Sequence, residues 1–182
     1  MNFIQKSVTT LVLSALSALA FAQPIPVRID LVKIENEVDS FTVETMSVFN
    51  MPEEGVNHYY LSVGRLGHGD DVIQVLFDPL SELFIPLGDT LAETIESMQQ
   101  IQTLFKEQPG ATMEMTGCLN IGFPTEKREP VRIKYMKPLL SKILEFSVQR
   151  EDHIRAAHMQ KSEFDSLLRG VKFYKRLHPK EE

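Results

Sequence analysis

Alternation of apolar and polar residues recurs along the chain and predicts a protein built mainly from half-buried strands. In the first half the alternation includes Phe41 and Val43, and it resumes at Tyr59, Leu61 and Val63. Because successive side chains of a strand point to opposite faces, each run offers one apolar face to a core. In the second half the alternating apolar positions are Met113, Met115, Leu119, Ile121 and Phe123, then Val131, Ile133 and Tyr135.

Apolar residues spaced by three or four positions follow the strands and predict one helix in each half. Thr90 and Glu93 form a capping box, the signature of a helix start, and Ser162 with Asp165 predicts a weaker one. The first helix should end before the Gln-Pro-Gly sequence at 108–110, which breaks helices. The helical apolar positions are Leu91, Ile95, Met98 and Phe105, then Phe164, Leu168 and Val171.

Correspondences between the two halves predict an internal repeat. Residues 48–63 align with 120–135 at a shift of 72, and residues 73–77 align with 144–148 at a shift of 71. We therefore predict an α+β fold of two tandem ββββα units related by a pseudo-two-fold axis. Each unit is an antiparallel sheet with one helix, which would cover one sheet face and leave the other exposed.

The first 22 residues have the pattern of a secretory signal peptide. Lys6 gives a positive start, residues 8–19 are mostly apolar, and residues 20–22 form an A-x-A cleavage site. The apolar stretch is shorter than the roughly 20 residues that span a bilayer. We expect a mature chain that begins at Gln23, is periplasmic or secreted, and has no stable membrane span. An uncleaved N-terminal anchor is the alternative.

The signal and the repeat together define the expected organisation of the chain. Val27, Ile29 and Leu31 alternate ahead of the repeat and predict an extra N-terminal strand. The expected segments are 1–22 (signal peptide), 23–36 (N-terminal strand), 37–108 (first ββββα unit, acidic), 109–178 (second ββββα unit, basic) and 179–182 (tail).

Charge is divided unequally between the two units. Residues 37–108 hold thirteen acids and two bases, whereas residues 109–182 hold ten acids and fourteen bases, within a net charge of −6. Three interpretations remain open at this point. The charged faces are simply solvated, or the halves attract each other within one chain or head to tail between chains, or the basic half binds a polyanion.

Four residues are candidate ligand contacts on the exposed sheet faces. Arg132 and Lys134 alternate with the apolar residues of their strand, so they should point away from the core, and Arg155 is expected to join them. Tyr60 occupies the equivalent outward position in the first unit.

Two ββββα units resemble the architecture of the PUR-repeat and Whirly single-strand nucleic-acid binders. Those folds place aromatic and basic residues on an open sheet face. The present chain has Tyr60 and Tyr135, but it lacks Trp, carries net negative charge and begins with an export signal. The resemblance implies an architecture; we carry over no residues or activity, and we do not expect nucleic acid as a partner.

A Gly-His-Gly-Asp-Asp sequence at 67–71 is the most site-like string. His68, Asp70 and Asp71 could hold a metal ion or share a proton. However, the string lies between two predicted strands, where Gly and Asp are the residues that a hairpin turn requires. The turn is the favoured interpretation.

The remaining motifs favour binding over catalysis. The chain has no GxGxxG, GxxxxGK[ST] or GxSxG sequence, so we expect no cofactor and assign no catalytic residue. Its one cysteine, Cys118, excludes an internal disulfide and should be buried. We expect an exported, non-enzymatic binding or accessory protein whose duplicated sheet surface engages another protein or an extended ligand. The alternatives are a small exported metal-dependent hydrolase and a polyanion-binding module.

Overall fold

The protein is a mixed α+β fold dominated by one antiparallel sheet. A computed structural model describes residues 27–37, 42–67, 82–120, 128–149 and 154–179, and over these residues eight strands pair in chain order. The strands are β1 (Ile29–Glu37), β2 (Thr42–Asn50), β3 (Tyr59–Gly67), β4 (Glu82–Gly88), β5 (Thr112–Asn120), β6 (Glu129–Met136), β7 (Ile143–Gln149) and β8 (Ile154–Gln160). The helices are α1 (Leu91–Thr103), a short 3-10 turn (Leu104–Lys106) and α2 (Lys161–Leu177).

Strand pairing differs between the two halves in a way that the sequence alignment did not predict. In the second half, β7 lies between β6 and β8. In the first half, residues 59–63 of β3 pair directly with β4. The sheet position of β7 therefore has no counterpart between β3 and β4 along these residues. The strand predicted near residues 72–77 lies outside the described residues.

The two helix starts also differ. The predicted capping box of Thr90 and Glu93 is confirmed at the start of α1. The one predicted for Ser162 and Asp165 is wrong, because α2 begins after Gln160, whose N–H donates to Glu163 Oε2 at 2.6 Å. The Asp165 carboxylate is instead engaged by Lys161 and Gln102.

The N-terminal strand has a bulge that changes which residues face the core. Pairing with β2 shifts between Asp30 and Val32, so Leu31 is the extra residue. Beyond the bulge, Val32 and Ile34 pack against the core, while Ile29 is 45% exposed. Simple alternation from Val27 therefore predicted the strand correctly but its core-facing residues only in part.

One hydrophobic core joins both halves because the sheet curls on itself. The third and eighth strands would be about 24 Å apart in a flat sheet, at roughly 4.8 Å per strand. Instead β3 contacts β8, and both contribute to the same buried cluster, which α1 and α2 help to close. We call the sheet face toward this cluster the inner face and the opposite one the outer face.

The outer face is not equally exposed in the two halves. In the first half, Ser47, Phe49, Ser62 and Phe84 are fully buried although they point away from the main core. In the second half, outer residues such as Arg132 are exposed. The expected exposed face is therefore present only in the second half, because the first half places small hydroxyls and aromatic rings where the second carries charges.

Candidate ligand-binding face

Three aromatic rings and one arginine form a cluster on the outer face of the first half. Phe49 and Tyr60 pair across β2 and β3, and their rings stack with centroids 5.3 Å apart and planes 20° apart. Phe84 of β4 meets Phe49 edge-on at 5.5 Å. The Arg28 guanidinium lies 4.2 Å from the centroid of the Phe49 ring. These geometries are the favourable ones for ring pairs and for cation–π contacts. We call these four residues the aromatic cluster.

Arg28 is held in place by side chains on both sides of its guanidinium. Its Nη2 donates to Ser47 Oγ at 2.6 Å, and its Nε donates to Asp30 Oδ1 at 2.8 Å. The arginine side chain nevertheless remains 25% exposed. A planar guanidinium fixed over a ring is a ready-made surface for a second planar or anionic group.

Tyr60 is the accessible aromatic ring of the cluster. Phe49 and Phe84 have no exposed surface, whereas Tyr60 is only partly buried. Burial raises the pKa of the Tyr60 hydroxyl, and nearby Cys118 raises it further, while the positive charge of Arg128 acts in the opposite direction. The hydroxyl is therefore neutral at pH 7 and can both donate and accept a hydrogen bond.

Cys118 extends the outer face from the first half into the second. A single row across the sheet pairs Ser47 with Ser62, Ser62 with Phe84, and Phe84 with Cys118. The thiol is 2% exposed, which confirms its predicted burial, and that burial raises its pKa against the opposing charge of Arg128. A thiol that stays protonated is a poor nucleophile.

Polar residues border the aromatic cluster where β2 ends and β3 begins. A tight turn at Glu54 and Gly55, both with positive φ, reverses the chain between the two strands. After the turn, His58 Nδ1 lies 2.8 Å from Asp89 Oδ1, next to the start of α1. This contact fixes the turn region to the helix start and presents a polar edge beside Tyr60.

The outer face of the second half alternates in charge. The sheet register places Arg132 between Glu114 and Ser147, and places Lys134 between Thr112 and Glu145. Next to Glu145, His158 contributes Nε2 at 3.4 Å from its carboxylate. The face is a mixed polar ladder, because acids on β5 and β7 flank the bases of β6.

The structure brings together only some of the residues predicted as ligand contacts. Arg132 and Lys134 share the outer face of β6, as predicted, and Tyr60 lies on the outer face of the first half. Arg155 pairs through its backbone with Val148, and its side chain lies outside the described part of the molecule. His68, Asp70 and Asp71 of the predicted turn or metal site also lie outside the described residues. Within the described ranges, no group of three metal-ligating side chains occurs.

Sequence reasoning missed Arg28 and Phe84 as members of the cluster. Arg28 precedes β1, and nothing in local spacing shows that it reaches the Phe49 ring and Ser47, which lies 19 residues further along the chain on β2. Phe84 carries no local signal either, because its position beside Phe49 depends on strand register. An aromatic residue at an outward strand position was the one available clue, and it pointed to Tyr60.

Comparison with known proteins gives one structural similarity. No protein-family model matches the chain, and no curated protein matches it. Among solved structures, WHY1 from Arabidopsis thaliana is similar, with a TM-score of 0.37 and 12% identity over 83% of this chain and 85% of that protein. The similarity is one of overall arrangement, and it assigns no role to any residue here.

The comparisons give no support to the expectation that nucleic acid is not a partner, and we withdraw that expectation. Nucleic acid is among the ligands to be tested. Among the helices of the described segments, none is long and apolar enough to cross a membrane.

Proposed function

We propose that the protein is a non-enzymatic binding protein that engages another protein or an extended ligand through the outer face of its sheet. The aromatic cluster carries this proposal: Tyr60 offers a partly exposed ring and a neutral hydroxyl, and Arg28 holds its guanidinium over the neighbouring Phe49 ring. The polar ladder of the second half continues the same face beyond Cys118. A ligand at this face would meet the Tyr60 ring in the first half and hydrogen-bonding side chains in the second, on either side of the buried Phe84 and Cys118.

The chemistry of the cluster supports binding over catalysis. Burial raises the pKa values of Tyr60 and Cys118, which keeps both groups protonated near neutral pH. Neither is therefore activated as a base or a nucleophile. Both groups remain suited to packing and hydrogen bonding.

Quantitative co-purification of the tagged full chain from cells that produce it tests this proposal. Tyr60→Ala and Arg28→Gln should each reduce recovery of the bound partner by about tenfold, the effect of losing roughly 1.4 kcal/mol of contact. Phe173→Ala is the matched control, since Phe173 is a 56%-exposed aromatic residue on α2. Thermal unfolding confirms that each variant is folded. Equal recovery with all three variants would refute the outer face as the binding surface.

A second candidate ligand is single-stranded nucleic acid. The specific observation in its favour is the accessible Tyr60 ring, with the positive charge of Arg128 near its hydroxyl and Arg28 over the adjoining Phe49 ring, because bases stack on aromatic rings while cations contact the backbone. Fluorescence anisotropy with a labelled single-stranded oligothymidine measures it directly. Binding should weaken with rising salt and with Tyr60→Ala. An affinity that changes neither with salt concentration nor with Tyr60→Ala would count against this ligand.

We further propose that the chain is exported and that residues 1–22 are removed as a signal peptide. The support is the sequence pattern alone: a basic start, an apolar stretch and an A-x-A site. Intact-mass measurement of the protein from its own cells should give a chain that begins at Gln23. A mass that includes residues 1–22 would instead favour the uncleaved anchor.

The duplication of a ββββα unit also remains a proposal. It is supported by the sequence shifts of 72 and 71 residues between the halves and by the helix that follows the last strand of each half. A duplication must explain why β3 pairs directly with β4, whereas β7 lies between β6 and β8. An experimental structure in which residues 37–108 superpose on residues 109–178, strand for strand, would support it, and failure to superpose would end it.

A further inference from the structure

The turn between β6 and β7 exposes two leucines almost completely. Leu139 is 96% exposed and Leu140 is 95% exposed, and they are the two most exposed large apolar side chains among the described residues. Single exposed leucines are ordinary on protein surfaces, but two adjacent ones at a protruding tip are not explained by the core. Neither side chain contributes to the fold.

The backbone of the same turn also disfavours leucine. Ser141 N–H donates to the Pro138 carbonyl at 3.0 Å and closes a four-residue turn. Leu139 has a φ of +52°, whereas Leu140 does not have a positive φ. A positive φ at the first central position is the conformation in which glycine is preferred. Leu139 therefore has a strained backbone and an exposed side chain, a combination that points to contact with another molecule.

Basic residues surround the tip. Lys137 and Lys142 flank it and are both exposed. Lys142 Nζ reaches the carbonyl of Phe105 at 3.4 Å, and Lys161 Nζ lies 5.7 Å from the Phe105 ring, so Lys106 belongs to the same end of the molecule. The acids at this end are Glu107, which is exposed, Asp165, which pairs with Lys161, and Glu163, whose carboxylate accepts from the Gln160 N–H at the start of α2. The two charged residues that flank the leucines directly, Lys137 and Lys142, are both basic.

We propose that this tip inserts Leu139 and Leu140 into the interface of a bilayer with anionic headgroups. Apolar side chains at a membrane interface are stabilised by the acyl chains, and adjacent lysines are attracted to anionic lipids. The tip is a tight turn with two adjacent, almost fully exposed leucines, which suits insertion between headgroups. A protein partner would ordinarily require a broader complementary surface on both sides. The proposal is independent of the outer-face site.

Vesicle co-sedimentation of the full chain tests this inference. The protein should bind vesicles of phosphatidylglycerol mixed with phosphatidylcholine and bind pure phosphatidylcholine vesicles at least tenfold more weakly. L139S/L140S should lower the partition coefficient on the anionic vesicles by about tenfold or more. Because both side chains are exposed, this variant should unfold at an unchanged temperature. Lys137→Glu should weaken binding to anionic vesicles alone.

L177S is the matched control, since Leu177 is 60% exposed and follows Lys175 and Arg176 on α2. It should leave vesicle binding unchanged. Three outcomes would overturn the proposal: no binding to anionic vesicles at low salt, equal binding to neutral vesicles, or equal binding by L139S/L140S. The first of these would leave docking to a protein as the explanation of the exposed tip.

Discussion

At the scale of single residues, burial determines what the most reactive groups can do. Cys118 is the only cysteine of the chain and lies in the outer row beside Phe84, where its surroundings keep the thiol protonated. Its burial was predictable, since a free cysteine is among the most frequently buried residues. Its neighbours were not, because they come from strands far apart in the sequence.

The Cys118 thiol should therefore react slowly in the folded protein. We expect modification by a disulfide reagent at pH 8 to be at least about tenfold slower than for free cysteine, because attack needs an accessible thiolate. The reaction should become fast in denaturant. A native rate equal to that of free cysteine, or a disulfide-linked dimer on a non-reducing gel, would contradict the burial described here.

At Asp165, unlike at Cys118, hydrogen bonds outweigh the effect of burial on the pKa. Burial by itself would raise the pKa of this carboxyl, but hydrogen bonds from Lys161 and Gln102 outweigh it and lower the pKa. A carboxyl whose pKa is lower in the folded state stabilises the fold above its unfolded pKa, and this contribution is lost as the pH falls through the folded pKa. The Gln102 amide, 2.7 Å from Oδ1, makes this contact a link between α1 and α2.

Asp165→Asn should accordingly destabilise the protein by about 1 kcal/mol near pH 7. The difference from the unsubstituted chain should begin to shrink below about pH 4, where the unfolded carboxyl becomes protonated, and should disappear once the pH falls through the lower pKa of the folded carboxyl. Urea unfolding at pH 7 and pH 3 measures this difference in unfolding free energy. Glu107→Gln is the control, because it makes the same kind of acid-to-amide change at an exposed residue. An equal loss at both pH values would show that charge is not involved.

At the scale of elements, the sequence predicts helix starts only where the local signal matches the final contacts. Thr90 and Glu93 satisfy each other within four residues, so their capping box was found correctly. Ser162 and Asp165 have a similar spacing, yet Asp165 is recruited by Gln102 from the other helix. Long-range contacts of this kind override a local pattern and cannot be detected from it.

The contact of α2 with β1 depends on a glycine. A Cβ atom on Gly170 would lie 2.4 Å from Cγ2 and 2.9 Å from Cγ1 of Val32, which is closer than packed atoms tolerate. The bulge at Leu31 places Val32 on this face. A glycine within a helix ordinarily costs stability, so its presence here is explained by close approach.

Gly170→Ala should therefore lower the unfolding free energy by about 1–3 kcal/mol, although alanine is the better helix former. Combining it with Val32→Ala should recover part of that loss, because the second substitution removes the clashing methyl groups. Thermal or urea unfolding of the two single variants and the pair tests this coupling. A stabilised single variant would mean that α2 does not approach β1 this closely.

At the scale of the whole molecule, alternation predicted a strand-rich α+β chain but not how the sheet closes. Contact between β3 and β8 comes from curvature, which depends on twist and packing across all strands. The distribution of charge on the surface could not be predicted from the sequence either. The second half is basic as a sum, yet the register sets Glu114 opposite Arg132 and Glu145 opposite Lys134, which gives a mixed surface.

The candidate face likewise arises only when the strands are assembled. Tyr60 could be identified from its outward position, but its partners Phe49 and Phe84 depend on a register that one sequence does not specify. The exposed tip at Leu139 is different, since two leucines after a proline, just beyond the alternating residues 131–135, could have been noticed. Their significance needed the measured exposure and the positive φ.

A crosslinking map gives the most direct test of the central claim that the outer face binds the ligand. A photoreactive amino acid is placed singly at positions 60, 132 and 173 of the full chain. Positions 60 and 132 lie on the first and second halves of the outer face, and position 173 lies on α2. We predict that one common partner is captured from position 60 most strongly, from position 132 more weakly, and not from position 173. Capture of that partner from position 173 alone would contradict the account.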